Sequence, residues 1–172
     1  MDDPIGNALT ALSIIGAIDT LVLVAVLMWG FILWVRGISP ALLRLGNGLA
    51  SRKIAIFAKG DNLSSLKDLL RDSGIFREKN IFDVTRTDDL GKAELASVYL
   101  VYWPDWSADI EKILAMKPDS CALVVYAPRD RGPIPEDQMK NIDGKRHSAV
   151  ANFRGRVLND LVTGMITTSY DR

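Results

Sequence analysis

Hydrophobic positions follow two regimes along this chain. From Leu9 to Val35 they run almost unbroken (LTALSIIGAIDTLVLVAVLMWGFILWV), with one carboxylate, Asp19, inside the run. A helix rising about 1.5 Å per residue over that stretch reaches roughly 40 Å, more than a hydrocarbon core of ~30 Å requires. From residue 53 onward, short apolar runs alternate with segments whose apolar residues recur at helical spacing. The first regime predicts a membrane span and the second a globular α/β body.

Taken in order, the body opens with a buried strand at Lys53–Ala58 (KIAIFA). A helix follows, with Asp61 or Asn62 as N-cap, Leu63, Leu66, Leu69 and Leu70 on its apolar face, and Gly74 as its stop. Asn80–Val84 is a second strand, and 88–94 is one helical turn or a loop. Ala96–Trp103 is a third strand, leading through Pro104 into a helix over about 105–116 with Ile110, Ile113 and Leu114 inward. Cys121–Tyr126 reads as a central strand because it is apolar throughout. A long polar loop then carries a helix over about 136–142. Ser148–Asn152 is a fifth strand, and 153–168 a last helix with Val157, Leu158, Leu161, Val162, Met165 and Ile166 at helical spacing. Regular alternation of strand and helix predicts a parallel sheet with helices on both faces, in the flavodoxin-like strand order 2-1-3-4-5.

Composition narrows the function. The 172 residues carry 21 Lys+Arg and 21 Asp+Glu, a formal net charge of zero, so a nucleic-acid partner is not expected. One cysteine, Cys121, and one histidine, His147, form no disulfide and no metal cluster. The phosphate-cradling G-x-x-x-x-G-K-S/T loop, the G-x-G-x-x-G fingerprint and the nucleophile elbow are all missing. No cofactor is expected, and binding is a better expectation than catalysis.

The chain divides into a membrane anchor (1–36), an interfacial helix or linker (37–52) and a cytosolic domain (53–172). In the joint, Pro40 suits the first turn of a short helix that Gly46 and Gly48 would end. Asp2 and Asp3 precede the span, and its length exceeds a signal-peptide core, so a retained anchor is expected. Arg36, Arg44, Arg52 and Lys53 follow it, which places the body on the cytoplasmic side of the inner membrane. Asp19 has two readings. Embedded in lipid, it shares a helix face with Leu12, Gly16, Leu23, Val26 and Gly30, and needs a second copy or another membrane protein to shelter it. Alternatively, the span proper begins near Asp19 and the preceding turns lie at the interface.

Ligands of open α/β sheets bind beyond the carboxyl ends of the strands. Those loops bring Lys59, Gly60, Asp61 and Asn62 after the first strand, and Trp103, Asp105 and Trp106 after the third. Arg129 and Arg131 follow the fourth strand, and Asn152, Arg154 and Arg156 the fifth. Arginines, helix-start amides and indoles suit a nucleotide-like ligand or the acidic surface of a partner protein. The plainer reading makes the arginines solvated surface and the tryptophans packing residues at the sheet edge.

LKDLLRDSGI followed by NIFDV is similar to the first helix and second strand of Toll/interleukin-receptor (TIR) domains, and VYLVYWPDWSADIEKIL resembles their third strand, loop and helix. The resemblance covers roughly 53–130 and implies a flavodoxin-like fold that self-assembles. In enzymatic members it further implies NAD cleavage by a glutamate after that loop, matched here by Glu111. Trp103 stands where that family opens the loop with a small polar residue, and the cysteine-containing stretch before the glutamate is missing. Receiver domains share the topology, but Lys59 and Gly60 stand where their acidic pair would be.

Three functions follow as expectations. The first is a signal-responsive membrane effector that clusters its spans and permeabilises the bilayer, resembling in architecture small membrane effectors of bacterial anti-phage signalling. The second is a single-helix subunit of an ion-driven stator-like complex that uses Asp19. The third is a membrane-tethered TIR-like NADase.

Overall fold

A computed structural model describes the backbone of residues 4–168 and the side chains of residues 13–14, 16–39, 46 and 51–168. The chain forms two units, Met1–Arg44 and Leu45–Arg172. Helix α1 runs from Pro4 to Ser51 without interruption. The short separate helix expected in the joint is therefore part of one long helix that passes through Pro40, Gly46 and Gly48. Proline and glycine cost a helix interior about 3 and 1 kcal/mol, a local penalty that lowers stability without obliging the backbone to leave the helix.

Within α1, the 24-residue stretch Gly16–Ser39 contains an 18-residue window of mean hydropathy 2.3; it is long and apolar enough to cross a membrane, and none of that window is buried. Asp19 lies in its first turn. The Thr20 hydroxyl donates to the Gly16 carbonyl at 2.8 Å, so this polar side chain is satisfied within the helix. Asp19 has no such local partner among the described residues and is exposed.

The second unit is built on a parallel five-stranded sheet ordered β2-β1-β3-β4-β5. The strands are β1 (Ile54–Phe57), β2 (Ile81–Val84), β3 (Val98–Tyr102), β4 (Ala122–Tyr126) and β5 (Ser148–Ala151). Every residue of β1 and β3 is buried, as expected of inner strands covered on both faces, whereas the edge strands β2 and β5 are only partly buried. Side-chain alternation sorts the core into two layers. Ile54, Ile56, Val98, Leu100, Tyr102, Ala122 and Val124 meet Leu66 and Leu70 of α2 (Gly60–Asp72) and Val157, Leu161 and Met165 of α6 (Arg154–Thr167). Ala55, Phe57, Tyr99, Val101, Leu123 and Val125 meet the opposite layer. That layer contains α3 (Trp103–Trp106), α4 (Ile110–Met116) and α5 (Glu136–Asp143). Helix α6 approaches the sheet through Gly164, where an added Cβ would stand 2.8 Å from the Ala122 Cβ, so no larger residue fits without moving the helix.

Two local features differ from expectation. The single helix expected after β3 is three pieces: α3, a 3-10 turn at Ser107–Asp109, and α4. Trp106 and Asp109 leave helical geometry (ψ 9° and 8°), and Trp106 is fully buried. The start of α2 differs too. Lys59 is its N-cap, and neither Asp61 nor Asn62 caps it. The carboxylate comes from α3 instead: Asp105 Oδ2 accepts the Lys59 N–H at 2.7 Å, and its oxygens accept from Asn62 Nδ2 at 3.2 and 3.3 Å. The segment 88–94 lies within a longer 3-10 helix, Thr87–Leu95.

Tyr99 is fully buried in this core, and its hydroxyl has no hydrogen-bond partner among the described residues. Burial, ahead of the nearby Cys121 and Glu94, pushes its phenol well above the usual range for tyrosine. The unfolded chain loses this proton near pH 10 while the folded chain keeps it, so stability is full below pH 10 and falls above it, by up to about 1.4 kcal/mol per pH unit. Tyr99→Phe is expected to match or exceed the wild type by roughly 1 kcal/mol at pH 7. Its advantage should widen between about pH 10 and 11 in urea unfolding of the full chain. An unchanging difference across that interval would mean that the phenol ionises as freely inside the fold as outside it.

Candidate functional site

A cleft of the second unit opens at the carboxyl edge of the sheet, on the face that carries α2 and α6. Its volume is about 190 Å³, and it is lined by Asn62, Ser65, Leu66, Tyr102, Tyr126, Pro128, Asp130, Arg131 and Arg154. The strands build its floor. Tyr102 and Tyr126 end β3 and β4, are paired in register, and bring their rings to 5.7 Å. The first turns of α2 supply Asn62 and Ser65, and the first residue of α6 supplies Arg154. Arg154 clasps α2: its guanidinium donates to Ser65 Oγ at 2.6 Å and to the Ser65 carbonyl at 2.7 Å. Arg131 and Asp130 belong to a 3-10 turn after β4 and approach each other to 3.7 Å, both largely exposed. Burial raises the Tyr102 phenol above its ordinary value, while the Arg131 charge pulls it the other way.

Of the residues expected at a ligand site, Asn62, Arg131 and Arg154 line this cleft and the others do not. Trp103 and Trp106 are buried in the opposite core layer, so neither is an open stacking platform. Trp106 packs edge-on against Phe57, with centroids 5.5 Å apart and planes at 89°. The Lys59 ammonium sits 5.2 Å from the centre of the Trp106 ring, which draws it toward that layer as well. Asp105 holds the β1–α2 loop through the bonds described above. The Arg129 guanidinium stacks 4.6 Å from the Phe153 ring centre. Asp61 and Asn152 are exposed and do not line the cleft. Glu111 is exposed on α4, where its carboxylate accepts from Asn141 Nδ2 of α5 at 2.8 Å, and it too lies outside the cleft.

Ser65, Tyr102, Tyr126 and Asp130 belong to the site and escaped the sequence reading. One signal was present: the strands VYLVY and ALVVY both end in tyrosine. Its meaning depends on register, which places the two tyrosines side by side. The polar groups of the lining are Asn62, Ser65, Asp130, two tyrosine hydroxyls and two arginines, which can hold a ligand. Among the described residues no group of His, Cys, Asp and Glu is arranged to hold a metal ion. No family model, no curated protein and no solved structure matches this chain.

Proposed function

We propose that this chain is a single-pass protein of the inner membrane whose cytoplasmic α/β body binds a small ligand in the carboxyl-edge cleft and thereby controls association of its span. One observation carries the reading: α6 connects the cleft to the foot of α1. Its first residue, Arg154, lines the cleft and clasps Ser65. At its far end, Thr168 Oγ1 accepts a hydrogen bond from Arg52, the residue directly after α1. A ligand that draws Arg154 away from Ser65 therefore acts on the helix that grips the end of α1.

Three further features support the reading. The basic residues Arg36, Arg52 and Lys53 follow the apolar stretch, as on a cytoplasmic flank. Asp19, inside that stretch and without a local partner among the described residues, gives copies of the span a reason to gather. The cleft is lined by amide, hydroxyl and guanidinium donors suited to holding a ligand, which supports a sensor. Gathered spans with Asp19 inward would open a polar path through the bilayer, the outcome expected of a defence effector.

Two measurements on the full chain test this. Protease added to vesicles of known sidedness should digest residues 53–172 only from the cytoplasmic face. The mass of the detergent-solubilised protein should correspond to several copies, or to one copy with a second membrane protein. A body on the outer face, or a strict monomer without a partner, would end this reading.

A further inference from the structure

The cleft also identifies the chemistry of its ligand. Tyr102 is 5% exposed and lines the cavity, yet its hydroxyl donates to no group among the described residues. That hydroxyl is not sealed in the core as the Tyr99 hydroxyl is; it opens on the cavity, where it is free to donate to a bound ligand. Of the two helices that begin here, the start of α2 already holds the Asp105 carboxylate, whereas α6 has no side-chain cap. The first turn of α6 has no acidic residue and carries Arg154 and Arg156 instead. A cation at a helix start opposes the macrodipole, and a bound anion reverses that cost. Arg131 adds a third positive group, and the only acid in the lining, Asp130, is 79% exposed beside it. Size sets the remaining limit: about 190 Å³ falls below the ~300 Å³ at which pockets begin to enclose a drug-sized molecule, so a dinucleotide does not fit inside.

We infer that the cleft is a phosphate site, taking inorganic phosphate or the phosphate monoester of a small molecule, with the Tyr102 hydroxyl and the Arg131 guanidinium as donors and Arg154 turning from Ser65 onto the same oxygens. The inference rests on the cleft being the ligand site of the preceding reading, and it names that ligand's chemical class. An arginine matches two phosphate oxygens at once, and such charge-assisted bonds are about twice as strong as neutral ones. The phenol stays protonated at neutral pH and adds a donor at no electrostatic cost.

The test uses the full chain in detergent micelles, titrated by calorimetry with inorganic phosphate, adenosine monophosphate and adenosine. Phosphate and the monophosphate should bind and adenosine should not. A tighter monophosphate identifies an ester as the ligand, and equal affinities identify free phosphate. Arg131→Gln should weaken binding about tenfold or more, and Tyr102→Phe about fivefold, while Arg129→Gln, outside the cleft, changes nothing. Tyr102→Phe preserves the ring packing, so it reports on the hydroxyl even where an arginine variant misfolds. Adenosine binding as well as its monophosphate would overturn the inference. So would affinity for phosphate that both cleft variants leave intact, or no binding of either phosphate compound up to about 10 mM. Phosphate binding with no change in oligomer mass supports the site and defeats only the coupling to the span.

Discussion

Replacing Trp106 by alanine is expected to cost the α/β body about 3–5 kcal/mol, the usual range for deleting a buried tryptophan. The residue is fully buried, seated edge-on against Phe57 and covered by Lys59. Deletion opens a cavity between β1 and the layer containing α3 and α4, where the neighbours are held by the sheet and relax only in part. Trp106→Phe should cost much less, roughly 1–2 kcal/mol. It keeps most of the apolar volume and removes an indole N–H that has no partner among the described residues. Urea unfolding of the full chain checks both values. A stacking platform would behave in the opposite way, losing ligand affinity while stability stayed close to wild type. The buried position predicts that folded Trp106→Phe binds phosphate as the unchanged chain does.

The second large effect belongs to Asp19. On insertion scales an aspartate near the middle of a span costs about 2.5–3.5 kcal/mol, and a leucine gains a few tenths. Asp19→Leu should therefore insert more readily, by about a hundredfold or more if the carboxylate lies deep in lipid, and should associate less, because nothing remains to be sheltered. Asp19→Asn separates charge from hydrogen bonding, since it removes the first and keeps the second. Association of full-length protein in vesicles, read by crosslinking, is expected to fall for Asp19→Leu and to persist in part for Asp19→Asn. Unchanged association in both would place Asp19 among the headgroups, with Gly16–Ser39 crossing from a shallower start. In either case phosphate binding by the body should not change.

These two residues show how far the sequence could be read. Asp19 was conspicuous because a carboxylate inside an apolar run violates a rule that needs no tertiary knowledge. Trp106 was ambiguous because an indole in a loop after a strand can turn inward or outward, and the W-P-D-W spacing is the same in both cases. Asp105 shows a related limit: its oxygens bond to Lys59 and Asn62, whose positions in the chain give no hint of the contact. Pro40, Gly46 and Gly48 read as helix punctuation, yet α1 runs through all three.

What the linear order of residues determined by itself was the apolar helix, the alternation of strand and helix, and the parallel sheet of order 2-1-3-4-5, because periodic burial is recorded residue by residue. The carboxyl edge followed from that topology. Only the tertiary structure decided which loop residues face the cleft, that Tyr102 and Tyr126 stand together, that Asp105 of α3 holds the Lys59 N–H at the start of α2, and that α6 reaches from the cleft to Arg52. Those facts depend on strand register and on the face each helix covers. Both are settled by packing among distant segments, which no local pattern encodes.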